Sequence, residues 1–325
     1  MTRQASSRPR MVDRDGQFGA AHNSPGHMSS ARSVRLGFGG VLRSEWIKLF
    51  TLRSTWWILA ATIVVNLAIC ALLGASLAYS EHIIRHPQPG MPVPTVNGQP
   101  MTVDPGSFGL LSSLVGQACS MLGQLVFVVL SILIITNEYS SGMIRSTFTI
   151  APRRDLVLAA KMIVIAVTCL LVFGASVAAG WGIDYLILRG GIGVDLTLAS
   201  PTSFRVLGGF LVEMILVAWL CFGLGAVIRS SAGGIGAAVG IVLVLPTIMA
   251  FIVVGISGGA GEVTGWRKVL VDVNAFLPTN AGSLVRQAER LPGDIMGPWE
   301  GLGVLGAWAV LALVVAFVVT HNRDV

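Results

Sequence analysis

Between Asn137 and Arg154 the chain reads NEYSSGMIRSTFTIAPRR, a compact run of hydrogen-bonding and charged side chains set between two long apolar stretches. Gly142 allows a bend, and Pro152 stops a helix before the next apolar stretch begins. A short polar element of this kind suits a knob that docks on a partner. The plainer alternative is an ordinary basic loop on the inner side of a membrane. In the preceding stretch Ser113, Gln117, Ser120, Gln124 and Ser131 recur on one helical face. A polar stripe does not face lipid, so it either lines a route for polar groups or joins helices through hydrogen bonds worth about 0.6–2 kcal/mol each. Glu213 is a lone acid within an apolar run, where an ionised group costs about 2.5–3.5 kcal/mol near the membrane centre. It needs a partner, for which Arg205 and Arg189 are the expected candidates, or a role in substrate handling. Asp184 is expected at the membrane interface.

Catalytic chemistry finds little support. The histidines are His22, His27, His82, His86 and His321, all outside the apolar stretches, so no base sits at membrane depth beside a nucleophile. Cys70, Cys119, Cys169 and Cys221 lie singly in apolar runs without CxxC spacing, which suits packing and suggests neither a metal site nor a disulfide framework. None of the three lysines, Lys48, Lys161 and Lys268, follows a glycine, so the chain has no phosphate-binding loop. The expectation is that this chain is not an enzyme.

The elements that must position these residues follow from hydropathy. The chain is 54% hydrophobic and 12% charged, with mean hydropathy +0.76, a composition that needs lipid around it. Its net charge of +6 forms no basic stripe, so nucleic-acid binding is excluded as its explanation. Residues 1–40 are rich in Ser, Arg, Gly and Pro and read as a disordered cytoplasmic tail. From Val41 to Arg53, Leu42, Trp46, Leu49 and Phe50 stand at helical spacing against Arg43, Glu45, Lys48 and Arg53, the pattern of an interfacial amphipathic helix. Six stretches within 41–325 reach the roughly 20 apolar residues that a helical crossing takes. They are 57–78, 111–136, 156–179, 206–228, 234–256 and 302–320, an all-α, polytopic membrane fold. The third is expected to extend towards Leu188. The Arg229–Gly233 turn forces the fourth and fifth into a tight antiparallel pair.

Fifteen of the 22 Lys and Arg residues fall on the side of the N-terminus, which by the positive-inside rule puts both termini in the cytoplasm. Residues 81–109, with their many prolines, read as an irregular outer excursion, whereas 257–301 carry short helical patterns expected to cap the outer mouth. Gly236 and Gly240 give GxxxG, and Gly174 with Ala178 a similar small pair, where helices are expected to approach closely. Pro246 is expected to kink the fifth span.

Asn137-Glu138, Gly142, Arg145, Thr149, Ala151-Pro152-Arg153-Arg154 and Lys161 together resemble the permease subunits of bacterial type-2 ATP-binding-cassette (ABC) exporters. The stretch Leu277-Pro278-Thr279-Asn280-Ala281-Gly282 before the last span is similar to a sequence common in bacterial members. The resemblance covers nearly all of the chain after Val41; the long N-terminal tail departs from the family's compact pattern. It implies that the second-to-third connection is a coupling helix seated in a cleft of a separate ATPase. Asn137, Glu138, Tyr139, Gly142, Met143, Arg145, Thr149, Pro152, Arg153 and Arg154 would then carry the coupling. It further implies a plasma-membrane assembly of two identical or related permeases with two ATPase subunits, which bind the ATP and Mg while this chain holds no cofactor. Ser113, Gln117, Ser120, Gln124, Glu213, Gly236, Gly240 and Pro246 would line the substrate pathway or the helix interfaces. Apolar walls favour an amphipathic or hydrophobic cargo such as a drug, peptide or lipid. Two alternatives stay open: an ion-coupled carrier, for which only Glu213 qualifies, and a membrane anchor that recruits an ATPase without transport.

Overall fold

A computed structural model describes residues 37–51, 53–86, 95–96, 99–100, 108–140, 154–192, 201–257, 265–287 and 295–322. Most of the tail, residues 1–36, lies outside the described residues. The amphipathic segment forms α1 (Phe38–Thr51), beginning three residues before Val41, and α2 (Arg53–Arg85) follows almost at once. The indole Nε1 of Trp56 donates to Phe50 O at 2.9 Å and fixes the junction. Then come α3 (Phe108–Ser140), α4 (Arg154–Ile192) and α5 (Pro201–Ile228). The next helix is α6 (Ser231–Val239), continued through a π-helical turn at Gly240–Val244 into α7 (Leu245–Ser257). The chain ends with α8 (Trp266–Ala275), α9 (Pro278–Ser283), a 3-10 turn at Leu284–Arg286, and α10 (Pro298–Asn322). One antiparallel pairing, Thr95–Val96 with Gln99–Pro100, breaks the expected irregularity of 81–109, and α2 runs five residues into that range. Residues 87–94, 97–98 and 101–107 fall outside the described residues, and Phe108 and Gly109 already belong to α3.

Among the described residues five helices are long and apolar enough to cross a membrane: Thr55–Ser76, Leu156–Ile187, Pro201–Ile228, Ser231–Gly255 and Pro298–Thr320. In α3, which has 33 residues, the part whose side chains are described contributes a further apolar stretch, Gly123–Tyr139. The third apolar run extends to Ile187, as expected. The structure is that of a polytopic, helical membrane protein.

Of the five candidate crossing helices, α5 has the largest buried share. Phe210 and Phe222 are fully enclosed, and Phe210 meets Phe173 of α4 edge-on at 5.5 Å, which in turn meets Phe127 of α3 at 4.8 Å. Such aromatic contacts add about 0.5–1.5 kcal/mol each beyond the area they bury. Close helix approach is made by other glycines than the GxxxG pair. A Cβ at Gly223 would meet the Ala312 backbone of α10, and Cβ atoms at Gly225 and Gly234 would crowd Ile132 of α3. At Gly236, Gly240 and Gly174 a Cβ would meet nothing within 4 Å, so these positions bring no helices together among the described residues. Spacing alone marks a small face; only the neighbouring helix decides which small face is used.

The antiparallel turn is tighter than its composition suggests. Only Arg229 and Ser230 connect α5 to α6, because Ser231 already belongs to α6. Ser230 Oγ accepts from Gly233 N at 3.3 Å as the N-cap. Arg229 has φ 57, an unusual left-handed backbone for a side-chain-bearing residue. Its guanidinium offsets that strain by donating to Val319 O at 3.2 Å and lying 5.1 Å over the Tyr139 ring.

One close approach yields a direct test. A Cβ on Gly301, in the first turn of α10, would fall onto the Ala281 carbonyl of α9. Gly301→Ala is expected to cost about 1–3 kcal/mol, the range for overpacking. Gly303→Ala, where a Cβ meets nothing within 4 Å, is expected to be silent. Thermal unfolding followed by size-exclusion elution separates the two.

Candidate functional site

Three helices converge at one end of the bundle on a closed ring of four charges. Lys161 Nζ, two turns into α4, lies 2.5 Å from Glu45 Oε2 of α1 and 2.8 Å from Glu138 Oε1 of α3. Lys48 Nζ lies 2.7 Å from Glu45 Oε1 and 3.0 Å from the same Glu138 oxygen. Two ammonium groups thus alternate with two carboxylates, and the ring is neutral. Lys161, Glu45 and Glu138 are buried, whereas the Lys48 side chain is 38% exposed, so the ring opens to the surroundings on the Lys48 side. Burial acts to raise the Glu45 carboxyl. Lys161, by charge and hydrogen bond, and then Lys48 outweigh it and hold the group below the usual carboxylate range. Burial likewise acts to lower the Lys48 ammonium, but Glu45 and Glu138 hold it above the usual lysine value. Both groups therefore stay charged at neutral pH.

Periodicity places Glu45 on the polar face of α1, and the structure corrects this. Val41, Glu45 and Leu49 form its buried face, packed towards α4. A helical wheel separates apolar from polar residues, but it does not show that a lysine on another helix supplies the partner that makes burial of Glu45 affordable. Sequence reasoning set Lys48 beside Glu45 and Lys161 in one motif with Glu138, but did not bring the two lysines into one ring. Their signal was their scarcity, since they are two of only three lysines in the chain.

The proposed coupling residues are only partly in view. Asn137, Glu138 and Tyr139 form the last turn of α3, with Glu138 turned into the ring and Tyr139 beneath Arg229. Arg154 opens α4. Gly142, Met143, Arg145, Thr149, Pro152 and Arg153 lie outside the described residues. The ring nevertheless brackets them, because Glu138 precedes and Lys161 follows the segment.

The polar stripe of α3 is described from Gly123 onward; Ser113, Gln117 and Ser120 lie on the helix, with side chains outside the described residues. Gln124 and Ser131 are buried within the bundle. Near them is a residue that the apolar reading of the first span passed over. Asn66 of α2 is fully buried and its Nδ2 lies 3.4 Å from Ser176 Oγ of α4. Gly123 of α3 leaves the room, since a Cβ there would sit 3.1 Å from Asn66 Nδ2 and 2.6 Å from Phe173. A single amide in a run of apolar residues was the available signal. Asp184 is buried, and its carboxylate fills the space over Gly74 of α2.

At the other end of α5, Glu213 finds neither expected partner. Arg205 Nη2 donates to Gln287 O at 3.0 Å, and Arg189 Nη1 to Tyr185 Oη at 2.8 Å. The cation at Glu213 is Arg286, whose Nε lies 3.0 Å from Glu213 Oε2. Glu213 is fully enclosed, and Gly282 packs over its Cγ. The Leu277–Gly282 stretch thus folds back into the bundle and carries Arg286 to the acid.

The same stretch serves the bend in the fifth apolar helix. In a regular helix the Val242 carbonyl would accept from residue 246, but Pro246 has no N–H. The ladder widens instead, with Leu245 N–H bonding to Gly240 O, five residues back. Thr279 Oγ1 donates to Val242 O at 3.0 Å, giving that carbonyl a partner. Pro246 therefore produces a π-turn with a hydroxyl inserted beside it rather than a simple kink.

Among the described residues no group of three or more His, Cys, Asp or Glu could hold a metal ion, and Cys70, Cys169 and Cys221 are buried. The fold and the two buried charge centres define a multi-pass helical membrane protein with internally neutralised polar sites. Compared with known proteins, the chain matches no family model and no curated protein.

Proposed function

We propose that this chain is the permease subunit of an ATP-driven exporter, coupled to a separate ATPase through residues 137–154. The carrying observation is the Glu45–Lys48–Glu138–Lys161 ring, which ties both ends of that segment to α1. In a region of low dielectric, a neutral ring held by hydrogen bonds is stiff. A push on the segment between Glu138 and Lys161 would move α1, α3 and α4 together rather than bend one loop. In this reading α3 is a sixth crossing, both termini are cytoplasmic, and two permeases work with two ATPases in a bacterial plasma membrane. ATP and Mg belong to the partner. The cargo is amphipathic or hydrophobic, in keeping with the apolar helix faces.

An ion-coupled carrier would centre on Glu213. Its pairing with Arg286 works against this, because a carboxylate neutralised by a fixed guanidinium has less reason to take up a travelling cation.

The deciding experiment is purification from the native membrane in mild detergent, with mass spectrometry of the partners and an ATPase assay. Co-purification of a cytoplasmic ATPase whose activity responds to candidate cargo, and whose association is weakened at least tenfold by Arg145→Ala, is the expected result. Recovery of no ATPase would overturn the proposal. An ATPase indifferent to every cargo would point to a non-transporting anchor.

A further inference from the structure

α8 differs from the other helices in what it leaves uncovered. Trp266, Val269, Val273 and Phe276 follow one another at helical spacing, and their exposures are 67%, 59%, 49% and 48%. No residue of the helix is buried. It is nonetheless held firmly at its C-terminal end. Asn280 Nδ2 donates to Asn274 O at 2.9 Å and to Asn274 Oδ1 at 2.7 Å, and Trp308 Nε1 donates to Phe276 O at 3.1 Å. An apolar stripe on a pinned helix is a built surface that something must cover.

Its surroundings indicate what covers it. α8 packs against α7, whose exposed Ile248, Phe251, Ile252 and Val254 continue the apolar surface along a membrane-crossing helix. α6 starts beside Thr136, through the bond from Ser231 Oγ at 3.0 Å, close to ring member Glu138. The helix then runs away from the ring, so α8 sits at the opposite membrane surface. At 100° per residue, Arg267 and Lys268 leave α8 on its polar face, about 120–140° around from the middle of the stripe. Long basic side chains in that position extend to lipid phosphates while their stems stay with the apolar surface. Trp266 and Phe276 at the two ends of the stripe suit the headgroup boundary.

We propose that α8 is an interfacial anchor lying in the leaflet opposite the charge ring, its stripe in the acyl region and Arg267 and Lys268 on anionic lipid phosphates. The surface does not depend on the exporter reading, since it requires only that the chain sits in a bilayer.

The test uses the full chain in vesicles of phosphatidylcholine with phosphatidylglycerol. An environment-sensitive fluorophore is placed on Val269→Cys, Val273→Cys or Lys268→Cys, under conditions in which the unsubstituted chain takes up no label. Labels at 269 and 273 are expected to be quenched by shallow spin-labelled lipid and shielded from aqueous iodide, with the reverse at 268. Spin-labelled phosphatidylglycerol is expected to quench at 273 more strongly than spin-labelled phosphatidylcholine at equal mole fraction. Arg267→Gln with Lys268→Gln should abolish that preference. Iodide reaching 269 and 273 as freely as 268 would overturn the proposal. So would a label reached by neither quencher, which would mean that protein, such as a second copy of the chain, covers the stripe. Equal quenching by the two lipids would remove the anionic contact.

Discussion

Lys161→Ala is expected to disable the protein more thoroughly than any other single truncation of a charged side chain. The change leaves Glu45 and Glu138 facing one another with Lys48 as their only cation among the described residues, and Lys48 is the partly exposed member of the ring. Removing one partner from a buried ion pair costs about 3–5 kcal/mol, because the remaining charge stays desolvated. A thermal-unfolding midpoint lowered by many degrees, with loss of monodisperse protein, is the expected observation. The paired change Lys161→Met with Glu138→Gln keeps the site neutral and leaves Lys48 with Glu45, so it should recover most of that stability. This double variant also separates stability from transmission. If it folds yet loses cargo-dependent ATPase stimulation, the ring carries force; if stimulation survives, the ring only holds α1 in place.

The second large effect belongs to Arg286. Glu213 is fully enclosed, and Arg286→Met would remove the cation 3.0 Å from its carboxylate. The expected cost is again about 3–5 kcal/mol, and Glu213→Gln made on top of it should return a large part. A double-mutant cycle on unfolding midpoints measures the coupling directly. A coupling near zero would show that the two groups are close without depending on one another. Arg205→Met is the control, because Arg205 bonds to the Gln287 carbonyl and is expected to give a smaller loss.

The long helices were legible because hydrocarbon imposes a simple rule of length and composition, and 156–187 was readable even in its extension. What joins the helices was harder to read. Glu138 and Lys161 drew notice as parts of a motif, but their closure into a ring needs Glu45 to turn inward, and a helical wheel assigns any acid to the wet side. The LPTNAG stretch stood out as a pattern, yet its work lies in contacts far along the chain: Thr279 with Val242, Gly282 over Glu213, and Ala281 against Gly301. The GxxxG pair illustrates a related point within the chain. Small residues permit close approach, while the shape of the opposing helix decides whether it happens, and Gly223, Gly225 and Gly234 are the ones so met. Asn66 was hidden by averaging, since one amide barely lowers the hydropathy of a 22-residue apolar window.

The wide turn at Gly240–Val244 makes the helix through α6 and α7 behave like a sentence with one extra letter. Residues before and after it are out of phase by a single position, so a wheel drawn through the whole length is correct for only one half at a time. Deleting one residue there, such as Ile241, would bring the two halves into one α-helical frame. Closing the turn to α-helical geometry with every residue kept would instead turn everything beyond by about 100°. The lipid-facing row ending at Val254 would be swung away from its present direction, and Val242 would be carried off Thr279. The orientation of the outer half, and of the helices that hang from it, is thus set by a count of residues rather than by any one side chain.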